Sequence, residues 1–238
     1  MKVEFCLPVY NEAAILKDNV LRLLGFVKQQ NFSFDWQIVL IVNGSSKEFE
    51  DLAKGISNDF DSLIKTVIYA EKGKGRAIKN YALVSTADVF VYMDADLAVA
   101  LTDLPSLVTP LLNNEADLVM GSRLLKGSKK ERSFFREFSS LIYIWLSKII
   151  LRHSFSDLQC GFKAINLQKF KQIVPLIKDN QWFFDTELIY LFQKNNWRIK
   201  EIPVDWSENR YQARRSKIKV FKDGWSFLKK LVELRVRK

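Results

Sequence analysis

The sequence is short of the residues that several common chemistries require. It has two cysteines, Cys6 and Cys160, and one histidine, His153. Neither cysteine belongs to a C-x-x-C pair, which excludes a thiolate metal site and a disulfide framework and leaves each as a small buried residue. His153 reads as a helix-end residue without a role. No apolar run approaches the ~20 residues that cross a bilayer. The nearest, Leu141 to Leu151, is broken by Lys148. Met1-Lys2 leads straight into a strand-like segment with no secretory leader, so the expectation is a cytoplasmic protein that touches a membrane only at its surface, peripheral on the inner face. No internal repeat and no low-complexity linker divides the chain.

What is present is a core and a charged end. Hydrophobic residues make up 48% of 238, enough for one large domain or a domain with a short appendage, and too many for disorder. The formal charge is +10, but it is concentrated: from Arg210 to Lys238 there are 11 basic residues against Asp223 and Glu233. A basic end interleaved with leucines and aromatics points to phosphates, on lipid head groups or on nucleic acid.

Strands and helices alternate, which predicts an α/β sheet. Strands are expected at Val3–Leu7, Gln37–Val42, Leu63–Ala70, Asp88–Met93 and Asp117–Met120. Helices are expected at Ala13–Lys28, Gly75–Val84 and Leu104–Leu112, with Ser46 or a neighbour capping another. The apolar strands lack strict alternation, so both faces of the sheet should be covered. The second half is less regular: a helix at Phe134–Leu151, a strand at Gly161–Ile165, a helix at Asp185–Lys194, a strand at Ile199–Val204 and a basic amphipathic helix at Lys219–Arg237.

Open α/β sheets bind ligands at the carboxyl ends of their strands. The loops there read Pro8-Val9-Tyr10-Asn11-Glu12, Asn43-Gly44-Ser45, Glu71-Lys72-Gly73-Lys74-Gly75-Arg76 and Asp94-Ala95-Asp96. Two carboxylates one residue apart repel unless a cation neutralises them. A hard cation held by one or two carboxylates and by substrate phosphates is the usual Mg²⁺ arrangement. Gly73-Lys74-Gly75 before a helix is a phosphate-approach turn. It also mimics a dinucleotide fingerprint, but the third glycine position is Ile78 and the unit lies mid-chain.

The ordered series Leu7-Pro8-Val9-Tyr10-Asn11-Glu12, Gly73-Lys74-Gly75-x-Ala77, Asp94-Ala95-Asp96 and Gly121-Ser122-Arg123 resembles the family 2 glycosyltransferases. Asp157-Leu158-Gln159-Cys160-Gly161-Phe162-Lys163, Trp182-x-Phe184-Asp185-x-Glu187-Leu188 and Glu201-Ile202-Pro203-Val204-x-Trp206 narrow the likeness to dolichyl- and polyprenyl-phosphate glycosyltransferases, nearest the dolichyl-phosphate glucosyltransferase branch. The likeness runs from Leu7 to about Lys219.

The resemblance implies a GT-A fold: a Rossmann-like mixed sheet with helices on both faces, plus amphipathic interfacial helices. Residues 1–210 would form the catalytic domain, with a nucleotide half to about 122 and an acceptor half after it, and 211–238 a basic loop and amphipathic helix. It implies that Pro8, Tyr10, Asn11 and Glu12 contact the nucleotide, joined by Asn43, Gly73, Lys74 and Ala95. Asp94 and Asp96 would hold Mg²⁺ or Mn²⁺. Arg123, Arg136, Gln159, Arg214, Arg215 and Lys217, with Ser216, would serve the acceptor phosphate, and Asp185 the sugar and acceptor side. Val42 and Asn43 stand where the family has paired aspartates, and Ala98 where the mannosyl branch has a glutamine, so the donor sugar stays open.

The expected reaction is inverting, metal-dependent transfer of a hexose from a UDP-glucose- or GDP-mannose-type donor to a polyprenyl or dolichyl phosphate. A hydroxyl acceptor is the alternative, and Asp185 would then be its base. Nucleic acid is not an expected partner, since no reading helix or stacking platform is present. A membrane-anchoring partner or a homo-oligomer is left open. Phe134, Phe135, Phe138, Leu141, Ile142, Trp145 and Ile149 form an apolar surface that, with the C-terminal helix, reads as an in-plane anchor.

Overall fold

The computed structural model describes residues 1–60, 62–131, 134–207 and 220–237, with side chains omitted at 130–139 and 220–226. In chain order the elements are β1 (Lys2–Val9), α1 (Ala13–Gln29), β2 (Asp35–Asn43), α2 (Lys47–Asn58), β3 (Ile64–Tyr69), α3 (Lys74–Val84), β4 (Val89–Met93) and α4 (Leu104–Leu112). They continue with β5 (Leu118–Ser122), β6 (Lys129–Glu131), α5 (Phe134–Leu151), β7 (Phe162–Asn166), α6 (Leu167–Ile173), α7 (Phe184–Lys194), β8 (Ile199–Pro203), β9 (Asp205–Ser207) and α8 (Val220–Val236).

Seven strands form one sheet in the order β3-β2-β1-β4-β7-β5-β8. The period-two alternation of strand side chains splits the core into two layers. Val3, Phe5, Leu7 and Val9 of β1 and Ile38, Leu40 and Val42 of β2 face one layer with α1, α2 and α4. Cys6, Val39 and Ile41 face the other with α3, α6 and α7. Helices therefore cover both faces, as expected, and both cysteines are buried thiols. Burial pushes the Cys160 thiol up to about 12, which makes it inert. Ser46 caps α2 by accepting from the Phe49 N–H. His153 lies just past the end of α5, as its sequence position indicated.

The chain runs β1 to β2 to β3 in one direction and then returns to place β4 on the other side of β1, all in parallel. The switch point is thus at the carboxyl ends of β1 and β4. β7 runs antiparallel between β4 and β5, with Met93 paired to Phe162. That direction brings the beginning of β7 to the end of β4, and so delivers the 157–161 loop to Asp94. A small parallel pair, β6 with β9, lies apart and was not foreseen. Its strands are three residues long, and Lys129-Lys130-Glu131 carries no apolar period.

α8 packs on α5 and the start of α7 through Leu231 and Leu234, which join Leu151, Phe183 and Tyr190 in a third apolar cluster. Lys230 pairs with Asp179 at 2.6 Å, and Arg237 with the buried Glu187 at 2.9 Å. These cations hold the C-terminal end of the chain against α7 and the segment that precedes it.

Candidate active site

The first layer of the site is backbone held in place by short polar side chains. Asn43, buried at the end of β2, donates from Nδ2 to the Val9 carbonyl at 2.9 Å and accepts at Oδ1 from the Gly73 N–H at 3.0 Å. One amide therefore ties the ends of β1 and β2 to the loop entering α3, a task a carboxylate could not perform because it lacks a donor. Gly73 has φ +150°, and an added Cβ would run into the Asn180 carbonyl. Gly75 meets Phe184 Cβ at 2.5 Å in the same test, so the start of α3 sits directly on the start of α7. Asn11, at φ +50°, accepts from the Ser46 N–H at 2.9 Å, and Lys72 Nζ lies 4.0 Å above the Tyr10 ring. The Glu12 carbonyl opens α1 by accepting from Ile15 and Leu16. Pro8 lies within β1.

The charged centre follows. Lys74 Nζ is 2.7 Å from Asp94 Oδ1 and 4.0 Å from Asp185 Oδ2. Asp185 is buried, and its Oδ1 accepts from Lys163 Nζ at 2.6 Å and from the Tyr92 hydroxyl at 2.5 Å. Lys163 is wholly buried and also donates to the carbonyls of Cys160 and Leu158, at 2.6 and 3.2 Å. Burial pulls the Lys74 ammonium down, but Asp94 and Asp185 outweigh it and hold it above its ordinary value. Burial, reinforced by Asp185, raises the Tyr92 phenol, which stays a neutral donor.

Asp94 itself is half-exposed, with 39% of its side chain open. Its N–H donates to the Gly161 carbonyl at 3.1 Å, and a Cβ on Gly161 would strike the Asp94 carboxylate. Only glycine lets the 157–161 loop lie against that group. Ala95 is buried and its carbonyl accepts from Asn19 Nδ2 at 2.8 Å. Asp96 Oδ1 accepts from the Ala98 N–H at 3.2 Å, forming a turn in which buried Leu97 takes φ +48°. A left-handed leucine costs on the order of 1 kcal/mol, here offset by its packing in the core.

A second charged centre lies at the end of β5. Arg123 grips Asp157 with two bonds, Nε to Oδ2 at 2.6 Å and Nη2 to Oδ1 at 3.0 Å, and stacks 5.6 Å from the Trp206 ring. Burial raises the Asp157 carboxyl, and Arg123 overrides it to leave it below the usual range. Glu201 accepts at Oε1 from the Ser156 N–H and hydroxyl, 2.8 and 2.6 Å. Gln159 donates to Thr186 Oγ1 at 2.6 Å, beside the Tyr143 hydroxyl. The Arg136 side chain and residues Arg214, Arg215, Ser216 and Lys217 lie outside the described residues.

The structure thus brings Pro8, Tyr10, Asn11, Glu12, Asn43, Gly73, Lys74 and Asp94 to Asp96 to one edge of the sheet, with Asp185 beneath Lys74 and the Arg123 and Gln159 group on the next strand. Lys163, Tyr92, Asp157 and Gly161 join them without having been assigned. Lys163 left one signal: a lysine inside Phe162-Lys163-Ala164-Ile165, where only a paired charge can be buried.

A divalent metal fits the donor set at Asp94 and Asp96. No cluster of three histidine, cysteine or acidic groups occurs among the described residues. The protein therefore offers two hard carboxylates, the set that phosphate oxygens and water complete around Mg²⁺ or Mn²⁺. The Lys74 ammonium beside Asp94 marks that position as one that accepts positive charge.

Among solved structures, glucosyl-3-phosphoglycerate synthase from Mycobacterium tuberculosis, in complex with Mn²⁺ and uridine-diphosphate-glucose, superposes with a TM-score of 0.63 at 15% identity, over 98% of this chain and 77% of that one. Mannosyl-3-phosphoglycerate synthase from Rubrobacter xylanophilus gives 0.65 at 15% identity, over 98% and 72%. This is the GT-A fold. The dolichyl-phosphate beta-glucosyltransferase of Dictyostelium discoideum is 27% identical over 97% of this chain and 72% of its own length. The glycosyltransferase AglD of Haloferax volcanii is 29% identical over 87% of this chain, which spans 33% of that relative. A dolichyl-phosphate beta-glucosyltransferase of Trichomonas vaginalis is 28% identical over 87% of this chain and 66% of its own length. The profile of glycosyl transferase family 2 matches residues 4–174, and the chain belongs to that family.

Proposed function

We propose that the chain is an inverting, metal-dependent hexosyltransferase that moves a sugar from a nucleotide-sugar of the UDP-glucose or GDP-mannose type to a polyprenyl or dolichyl phosphate. The observation that carries this is the contact of Asp94, two residues before Asp96, with Lys74 at the first turn of α3, on the switch-point edge of the sheet. The turn at Gly73-Lys74-Gly75 and the Lys74 ammonium bind the donor diphosphate, because helix N-termini favour anions. Pro8, Tyr10, Asn11 and Glu12 flank the nucleoside, and Asn43 keeps their loops in register. Asp94 and Asp96 would hold Mg²⁺ or Mn²⁺, which would neutralise charge on the leaving diphosphate.

A phosphate oxygen of the acceptor attacks the anomeric carbon from the face opposite the leaving group. The bond to the diphosphate breaks as the new one forms, and the configuration inverts. A lipid monophosphate is already ionised near neutral pH, so no strong base is required. The arrangement around Asp185 agrees with this, since its oxygens are engaged by Lys163, Tyr92 and Lys74. Asp185 is then a positioning residue. Arg123, Arg136, Gln159, Arg214, Arg215 and Lys217 gather the acceptor phosphate, a task suited to guanidinium groups.

Membrane contact fits the outer face of α5, where Leu141, Ile142, Trp145 and Ile149 are exposed, and that of α8, where Val232 and Val236 are. No helix among the described residues is long and apolar enough to cross a membrane. The chain would act from the cytoplasmic face, on a peripheral footing.

The test is nucleoside diphosphate release by the purified chain with Mn²⁺ or Mg²⁺, a short polyprenyl phosphate and a panel of UDP- and GDP-sugars. Release that needs the lipid, with one donor, is the expected result. Release that ignores the lipid moves the acceptor to a hydroxyl compound. Silence with every donor overturns the proposal.

A further inference from the structure

A lysine at the first position of a helix is opposed by the helix dipole, so Lys74 is held by other forces. Its ammonium is boxed by Asp94, by Asp185 and by the Trp182 ring 5.2 Å away, with 9% of the side chain exposed. The two carboxylates are not equivalent. Asp185 keeps Lys163 and Tyr92 if Lys74 leaves. For half-exposed Asp94, Lys74 is the cation it contacts among the described residues. The Lys74–Asp94 contact is therefore the one that can be exchanged. An ammonium and a divalent ion cannot share that carboxylate without strong repulsion at such distances. Nor does a nearly buried ammonium give up its anion without another to replace it.

We infer that Lys74 is an exchangeable internal cation that couples metal binding to diphosphate binding. In the ligand-free protein it occupies the positive position at Asp94. It surrenders Asp94 when a nucleoside diphosphate, arriving at the start of the same helix, takes over its charge. Metal and nucleotide then bind as a unit, and by linkage each raises the affinity of the other. The inference rests on the reading of this edge as a nucleotide-sugar site.

The test is calorimetric titration of the full chain with Mn²⁺, alone and at saturating UDP or GDP. Mn²⁺ alone is expected to bind weakly to the wild type, and the better nucleotide to tighten it by roughly 10- to 100-fold. Lys74→Gln is expected to bind Mn²⁺ alone about tenfold more tightly than the wild type, with the nucleotide effect reduced to a few-fold. Lys74→Arg retains the charge and should retain weak binding of Mn²⁺ alone. Unchanged affinity and unchanged coupling in a folded Lys74→Gln, checked by its melting temperature, would overturn the inference and leave the donor site standing. Should that variant not fold, the wild type decides: UDP or GDP that binds without altering Mn²⁺ affinity also overturns it. If neither nucleotide binds at all, the donor reading itself fails and takes the inference with it.

Discussion

Two ion-paired centres meet across the 157–161 loop, and they are built on opposite plans. Around Arg123 the carboxylate is closed in: Asp157 has 2% of its side chain exposed, both oxygens bonded, and a guanidinium fork whose geometry only arginine supplies. Around Lys74 the outer carboxylate is open at 39%, and its partner is a single ammonium at the end of a flexible stem. The closed centre is suited to holding a loop in one place. The open one is suited to exchanging partners. Lys163 joins them, since it bonds the Cys160 and Leu158 carbonyls of the loop and the Asp185 carboxylate below Lys74.

Breaking the closed centre should have the largest effect on the fold. Arg123→Met strands Asp157 as a buried unpaired charge, and urea unfolding should show a loss of about 3–5 kcal/mol. A loss under 1 kcal/mol would mean that Asp157 finds water or another partner. In the open centre the same kind of change should cost activity and spare the fold. Asp94→Asn or Asp96→Asn is expected to lower transfer by at least about 10²-fold at saturating Mn²⁺, and full activity in either variant would remove the metal assignment. Gly161→Ala separates the two plans further, because its methyl group presses on the Asp94 carboxylate. Transfer should fall about tenfold, chiefly through a higher Mn²⁺ requirement, with a smaller loss of melting temperature than Arg123→Met shows.

The smallest effect belongs to a buried polar group outside both centres. His153 Nε2 is hydrogen-bonded to Ser147 Oγ at 2.9 Å, and burial, aided by Lys148, lowers its pKa to about 4 from 6.5. A base whose folded pKa is depressed binds fewer protons folded than unfolded, so stability is complete above pH 6.5 and declines as pH falls toward 4. Because the chain has one histidine, the decline between pH 6.5 and about 5 should report it, on the order of 1 kcal/mol. Denaturant unfolding of His153→Gln should be flat across that window.

The loops at the carboxyl ends of β1 to β4 were legible in sequence because each follows an apolar strand directly, so strand ends and polar loops coincide at Val9, Asn43, Tyr69 and Met93. The assignment of Asn43 shows where that reading stops. Its position at a strand end was visible, but its bonds to Val9 and Gly73 depend on β1 and β2 being neighbours. Lys163 and Asp157 stood inside recognised motifs and still had no role, since their partners are 22 and 34 residues away in the chain. The pair β6 and β9 had no signal at all, because three-residue strands carry too little pattern to register.

By itself the sequence determined the alternating α/β order, the two-sided burial of the strands and the DxD and glycine-lysine loops, all of which are local in origin: side-chain period, turn chemistry and the helix-start position. Only the tertiary structure decided that β7 runs antiparallel beside β4, and from that one choice follow the approach of Gly161 to Asp94, the bridge through Lys163 and the division between an open and a closed centre. Strand direction and neighbour order arise from packing between distant segments, and no local preference along the chain encodes them.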